Sequence, residues 1–479
     1  MNEEKKLQVL AFVRNQLAQA GSGLEAFTVD DQNKKLPHRD VYNTLLGYMQ
    51  EFAKGNSEPR WVAVAGLRGV GKTTLLAQLY TNFQAGSSEK LYIPLDRAVS
   101  LGFSLQDILA GYEELLGISF EKIQKPIYLF LDEVHYQKEW AVTVKAGVYD
   151  RSKKIFILAT GSSAVALEKN ADVARRMILD KLYPLGFTEY INVKLNKMLP
   201  DGVSKRIHQA LFFSESAEEV YQKLQEERGA VTSYWTGIEQ FEIDRYLKYG
   251  TLPFALSHTN ESVIYQSIGK VVDDIIEKDV TQLNAFDKPT LSKLSQLLYA
   301  IAGADTVSLV KLGQTVDLDP KTITQALDTL EKAEVLLRIY PYGAHYSQVK
   351  KSSKYLFTSS AYRAMYYNLI GSVEQYDNYK GRLLEDIVGM YLSKAFANNI
   401  GVSLSYDGRE GGADFILSIK SRGEKIVLEV GTGKKGTRQA VSTLKRVKGK
   451  YGLIISPSEL SLHREDDCVV LPLEYFLLL

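Results

Sequence analysis

Cysteine is almost absent: Cys468 is the single one in 479 residues. That excludes a disulfide within the chain and a Cys-rich zinc site, and a reducing cytoplasm is the expected compartment. Long apolar runs are missing too. No stretch nears the ~18 uninterrupted apolar residues that suggest a membrane helix, so no membrane partner is expected. The start, Met1–Lys6, is charged and lacks the apolar core of a secretory signal. Net charge is nearly nil, +1 from 58 basic and 57 acidic residues. A nucleic-acid partner would have to be met by a local patch rather than a global field. The 6 histidines show no metal-ligand spacing. Internal repeats and low-complexity segments are not seen.

What is present is an ordinary globular composition, 45% hydrophobic and 24% charged. The grammar of the chain changes along its length. Residues 1–57 read as a helical segment. Residues 58–195 alternate apolar strands (61–65, 91–94, 127–131, 155–160) with helices (75–83 among them), which predicts a parallel sheet with helices on both faces. Residues 196–287 read as a helical lid or linker. Residues 288–375 read as three helices and a strand pair, the order of a winged helix. Residues 376–479 return to α/β. The fold class expected is α/β multidomain.

The chemistry concentrates at Gly66–Thr73, GLRGVGKT, which fits G-x4-G-K-[ST] between an apolar strand and a helix. Glycines Gly66, Gly69 and Gly71 let backbone N–H groups turn toward phosphate, with Arg68, Val70 and Thr74 completing the loop. The helix N-terminus that follows favours an anion. Lys72 can reach the β- and γ-phosphates, and Thr73 can ligate Mg²⁺. A second apolar strand ends in Asp132-Glu133. Asp132 suits the metal shell, and Glu133 suits polarisation of the attacking water. A third strand ends at Thr160-Gly161-Ser162, where Thr160 or Ser162 could report the γ-phosphate. Arg175 and Arg176 suit an arginine finger, acting in cis or from a neighbour. ATP and Mg²⁺ are the expected ligands, although the spacing alone does not separate ATP from GTP.

Residues 61–190 resemble the bacterial and archaeal AAA-type P-loop ATPases related to STAND ATPases. The resemblance rests on Gly66–Thr73, on Leu131–His135 with Trp140, on Thr160–Ala164, and on Ala174–Arg176 before Pro184–Tyr190, all in that order. It implies ATP as the nucleotide, Asp132 and Glu133 as the acidic pair, and Arg175 or Arg176 as the finger. It also implies a winged helix and a restriction-endonuclease-like domain downstream. Residues 380–455 resemble the latter, with Glu385, Asp414 and Glu429 as the acids of a metal-dependent nuclease site. Where that pattern has lysine, position 431 is glycine, and Lys434 or Lys435 is the replacement considered.

DNA is the partner that the remaining features suggest. Lys321, Thr322, Thr324 and Gln325 begin the third helix of the winged-helix segment and would face a major groove. Lys350, Lys351 and Lys354 could form a basic wing. Residues 420–450 hold ten Lys/Arg against two acids, a local balance of +8. The expected function is an ATPase whose nucleotide state controls the appended modules. Two alternatives stay open: a low-turnover switch or assembly protein with a degenerate nuclease domain, and an ATP-regulated metal-dependent nuclease. A homo-oligomer or a protein partner is compatible with each.

Overall fold

The computed structural model describes residues 2–55, 58–86, 89–162, 171–304, 308–343, 352–369, 376–397, 399–433 and 436–479. The chain divides into two compact units, Met1–Tyr183 and Pro184–Leu479.

The first unit is built on five parallel strands: β1 (Trp61–Ala65), β2 (Lys90–Pro94), β3 (Ile127–Asp132), β4 (Ile155–Gly161) and β5 (Ile178–Lys181). Their order across the sheet is β2-β3-β4-β1-β5. Strands β1, β3 and β4 are buried at every position, as the central strands of a sheet covered on both faces must be. Register places Leu131 opposite Ala159 and Val64 opposite Thr160. The ends of β1, β3 and β4 therefore finish side by side.

Helix α1 (Glu3–Glu25) belongs to this core. Its buried residues Val9, Phe12, Val13, Gln16, Ala20 and Leu24 recur at helical spacing, and Asn2 caps it by accepting from the Lys5 N–H at 2.9 Å. Val9, Phe12 and Val13 join the cluster that contains Trp61, Leu129 and Ile157. Helix α2 (Val41–Ala53) follows, and helix α3 begins at Lys72 and runs to Asn82. The helix expected from Leu75 thus starts a turn earlier, inside the glycine loop itself.

The second unit carries helices first and an eight-stranded sheet after them. Its strands are β6 (Leu336–Pro341), β7 (Lys354–Phe357), β8 (Val402–Tyr406), β9 (Phe415–Ile419), β10 (Glu424–Val430), β11 (Tyr451–Ser456), β12 (Ser461–His463) and β13 (Cys468–Pro472). They lie in the order β12-β13-β11-β10-β9-β8-β6-β7. Helices Lys288–Ala302, Leu309–Val316 and Pro320–Lys332 precede the antiparallel pair β6–β7. Helix Tyr376–Ala395 precedes β8, β9 and β10, which are antiparallel; helix Arg438–Val447 then leads to β11, parallel to β10. A short parallel ladder, Tyr340 with Ser405 and Pro341 with Tyr406, joins β6 to β8. The segments read from the sequence as 288–375 and 376–479 therefore share one sheet.

A buried ion pair ties these pieces together. Arg363 donates from Nε to Asp386 Oδ2 at 2.6 Å and from a terminal nitrogen to Oδ1 at 2.9 Å. Its other terminal nitrogen donates to the Ala302 carbonyl at 2.7 Å, and the Phe357 N–H donates to Asp386 Oδ1 at 2.9 Å. Both side chains are almost wholly excluded from solvent. Removing one partner strands the other charge, which costs about 3–5 kcal/mol, whereas replacing both with apolar groups can be neutral. Arg363→Ala is expected to lower the free energy of urea unfolding by about that amount, and the pair Arg363→Met/Asp386→Leu to recover most of it. Equal loss in the single and double variants would refute this role.

Candidate functional site

The glycine loop lies between β1 and α3. Gly69 and Gly71 have φ of 87° and 93°, a region that side chains disfavour. A Cβ on Gly66 would lie 2.4 Å from the Leu182 carbonyl oxygen, so β5's exit leaves room only for glycine. Leu75 N–H makes a bond of 3.0 Å to Gly71 O, the first i→i−4 bond of α3. The amides of Lys72, Thr73 and Thr74 precede it at the positive end of the helix. Arg68 is half-buried and Val70 is buried.

Lys72 is 5% exposed, and its ammonium donates to Gly66 O at 2.8 Å and Leu67 O at 3.2 Å. Thr73 Oγ1 donates to Asp132 Oδ2 at 3.0 Å. Tyr92, on the neighbouring strand β2, donates to the same oxygen at 3.1 Å. Thr160, at the end of β4, donates to Asp132 Oδ1 and accepts the Glu133 N–H at 3.2 Å. One carboxylate thus gathers hydroxyls from α3, β2 and β4. Burial, and then the charge of Glu133, push the Asp132 carboxyl above the ordinary range, while the three hydroxyls oppose the shift. A cation placed here would favour the charged carboxylate, and the donor set of hydroxyl and carboxylate oxygens suits Mg²⁺.

Glu133 takes the left-handed conformation, φ 53° and ψ 47°. A side chain held there costs roughly 1–3 kcal/mol and is retained where the surroundings fix it. His135 Nδ1 lies 3.1 Å from Glu133 Oε2, and the Ser162 N–H reaches the same nitrogen at 3.4 Å. His135, which ends the second motif of the resemblance, thus lies against the Glu133 carboxylate. Arg39 is a residue the sequence does not flag. It is buried and donates to the carbonyls of Val70 at 2.7 Å and Tyr183 at 2.8 Å, bracing the glycine loop. Neither Tyr92 nor Arg39 carries a local motif; only the sheet register and the loop packing bring them in.

The arginine pair follows the short helix Ala171–Ala174. Arg175 is exposed, and Arg176 donates to Asp172 at 3.2 Å. Ser163 and Ala164 lie outside the described residues.

In the second unit, Lys321 is exposed at the start of helix Pro320–Lys332. The other three groups read as base contacts bond within the unit: Thr322 Oγ1 to Asp319 at 2.5 Å and Thr324 Oγ1 to Pro320 O at 2.9 Å, both in the same turn, and Gln325 to Asn284, 41 residues away, at 3.2 Å. Lys350, Lys351, Lys434 and Lys435 lie outside the described residues. Of the basic stretch, Lys450 pairs with Glu215 and Glu424, each at 2.7 Å, Arg422 lies 3.8 Å from Glu215, and Arg446 pairs with Asp407. These bonds spend part of the local positive charge within the unit.

Glu385 sits on helix Tyr376–Ala395, Asp414 just before β9 and Glu429 on β10. A lysine from β7 reaches two of the three: Lys354 pairs with Glu385 and lies 3.2 Å from Asp414. Burial disfavours its charge, but the carboxylates of Glu385 and Asp414 outweigh burial and hold the ammonium above its ordinary range.

The AAA domain family matches residues 58–191, and a domain of unknown function, DUF8612, matches residues 240–369. The uncharacterized protein MJ1637 of Methanocaldococcus jannaschii is 36% identical over 446 residues, covering 91% of this chain and 88% of that protein. An uncharacterized protein of Haemophilus influenzae is 21% identical over 420 residues, covering 85% of this chain and 91% of that one. Among solved structures, AMPPCP-bound DnaA from Aquifex aeolicus is 17% identical with a TM-score of 0.24, over 62% of this chain and 89% of that chain. The Holliday junction branch migration motor RuvB of Thermotoga maritima is 14% identical with a TM-score of 0.24, over 63% and 90%. At those scores the overlays carry no argument about this chain. The match to the M. jannaschii protein does: this chain belongs to the same family, and residues 58–191 are an AAA domain of the P-loop ATPase class.

Proposed function

We propose that the protein binds MgATP at Gly66–Thr74 and hydrolyses it, and that the nucleotide state governs the second unit. The observation that carries this reading is the convergence on Asp132 of Thr73, Tyr92 and Thr160. Thr73 and Asp132 would hold Mg²⁺, which supplies charge neutralisation at the phosphates. Lys72 can leave the neutral loop carbonyls for the negatively charged β- and γ-phosphate oxygens. Glu133 orients water, and Thr160 ties the Asp132 carboxylate to the main chain of Glu133. Arg175 or Arg176 is the proposed finger.

For the second unit, three helices with a strand pair support a winged helix. The order helix, three antiparallel strands, helix, parallel strand supports a nuclease-like domain. DNA is the partner we infer, with Lys321 as the exposed contact and the basic residues of 420–450 as the backbone patch. Among the described residues no helix is long and apolar enough to cross a membrane; the compartment proposed is the cytoplasm.

Steady-state phosphate release and nucleotide binding test the reading. Lys72→Ala is expected to abolish ATP binding. Glu133→Gln is expected to bind ATP as the unmodified chain does and to lose turnover by at least two orders of magnitude, the scale of a removed acid–base group. Unchanged turnover in Glu133→Gln would remove Glu133 from the mechanism. Tyr92→Phe deletes one bond to Asp132. It is expected to raise the Mg²⁺ concentration for half-maximal turnover several-fold and to leave metal-free nucleotide binding alone. An unaltered Mg²⁺ dependence would show that Tyr92 does not position the carboxylate.

A further inference from the structure

A nuclease-like domain implies a divalent metal among its acids, with a lysine beside it rather than between them. The residues here do not fit that group. The Lys354 ammonium contacts Glu385 Oε2 and lies 3.2 Å from Asp414 Oδ1. The other Asp414 oxygen accepts the Val430 N–H at 2.9 Å. The lysine side chain is 7% exposed, so it does not swing out to water at little cost. Among the described residues no group of three or more His, Cys, Asp or Glu side chains is arranged to hold a metal ion.

We propose that Lys354 is an internal cation standing in the place of the metal, so that the domain keeps the nuclease-like frame and does not cleave. This rests on the nuclease-like reading of the second unit. The chemistry is one of substitution: two converging carboxylates need a positive charge, and a chain-borne ammonium supplies it permanently. The same bond fastens β7 to helix Tyr376–Ala395 and to the start of β9. Asp386, the adjacent residue of that helix, accepts the N–H of Phe357 at the end of β7 as well as the bonds from Arg363. Two neighbouring acids of one helix thus clamp one strand from both its ends, through one salt bridge and one main-chain bond. The sequence supports the assignment from another side. The lysine missing at 431 is met in space by one from β7, on the far side of the sheet order from β10.

The test is Mn²⁺ binding to the full, nucleotide-free chain, read by electron paramagnetic resonance, with plasmid nicking in Mn²⁺ as a second readout. The unmodified chain and Asp414→Asn are expected to bind Mn²⁺ equally, and neither to nick plasmid. Lys354→Met keeps the side-chain length and removes the charge. It is expected to gain one saturable Mn²⁺ site, lost again in Lys354→Met/Asp414→Asn. If the unmodified chain binds Mn²⁺ in a way that Asp414→Asn abolishes, the internal-cation proposal fails and the nuclease-like reading stands. If folded Lys354→Met gains no site, the acids are not a nuclease-like set and that reading fails as well. Should Lys354→Met not fold, the comparison of the unmodified chain with Asp414→Asn decides the proposal alone.

Discussion

A carboxylate buried at the end of a parallel strand is expensive unless something collects around it. Asp132 is 4% exposed and accepts three hydroxyl bonds. Bonds to a charged acceptor contribute about 1.5–3 kcal/mol each, the scale needed to offset its burial. The donors arrive from three elements, so the sheet order is a condition of the site. β3 must lie between β2 and β4 for Tyr92 and Thr160 to reach it. α3 must leave β1 in a tight glycine turn for Thr73 to reach it. That node joins α3, β2 and β4 to the end of β3, and through Thr160 it reaches the main chain of Glu133.

The second unit solves a related problem differently. Two neighbouring acids of its helix Tyr376–Ala395, Glu385 and Asp386, are met by cations of the chain, Lys354 and Arg363. Such pairs do little for net stability against apolar replacements, yet they tolerate no single loss. They specify which strand lies on which helix. In the first unit the buried acid is left with hydroxyl donors only and a raised affinity for a proton. In the second, Glu385 and Asp386 each have a positive partner carried by the chain. The first arrangement suits a metal that comes and goes with nucleotide, and the second suits a structure that stays closed.

Much of the first unit was legible from the residues, because its signals are contiguous. WVAVA, IYLFLD and IFILATG are strands buried on both faces and read as unbroken apolar runs. The glycine loop carries its own turn chemistry, and the helix start was misplaced only because Lys72 and Thr73 belong to both loop and helix. Strand β5 escaped notice because Ile178–Lys181 is short, charged and at the sheet edge. β12 and β13 were missed too, since pairing across many residues gives Cys468–Pro472 its strand, and no period marks it. Tyr92 and Arg39 have no motif to announce them. Lys354 reads as a wing lysine in sequence, and only the ladder between β6 and β8 carries its hairpin to Glu385 and Asp414. Periodicity and motif report what is adjacent along the chain; a site assembled across strands reports itself only in register.

The most direct measurement is a crystal structure of the chain with a non-hydrolysable ATP analogue and Mg²⁺. The account predicts the Lys72 ammonium on phosphate oxygens instead of the carbonyls of Gly66 and Leu67, the Thr73 hydroxyl on the metal, and Asp132 in or against the metal's ligand shell. Nucleotide bound elsewhere, or Thr73 still donating to Asp132 with no metal between them, would contradict it.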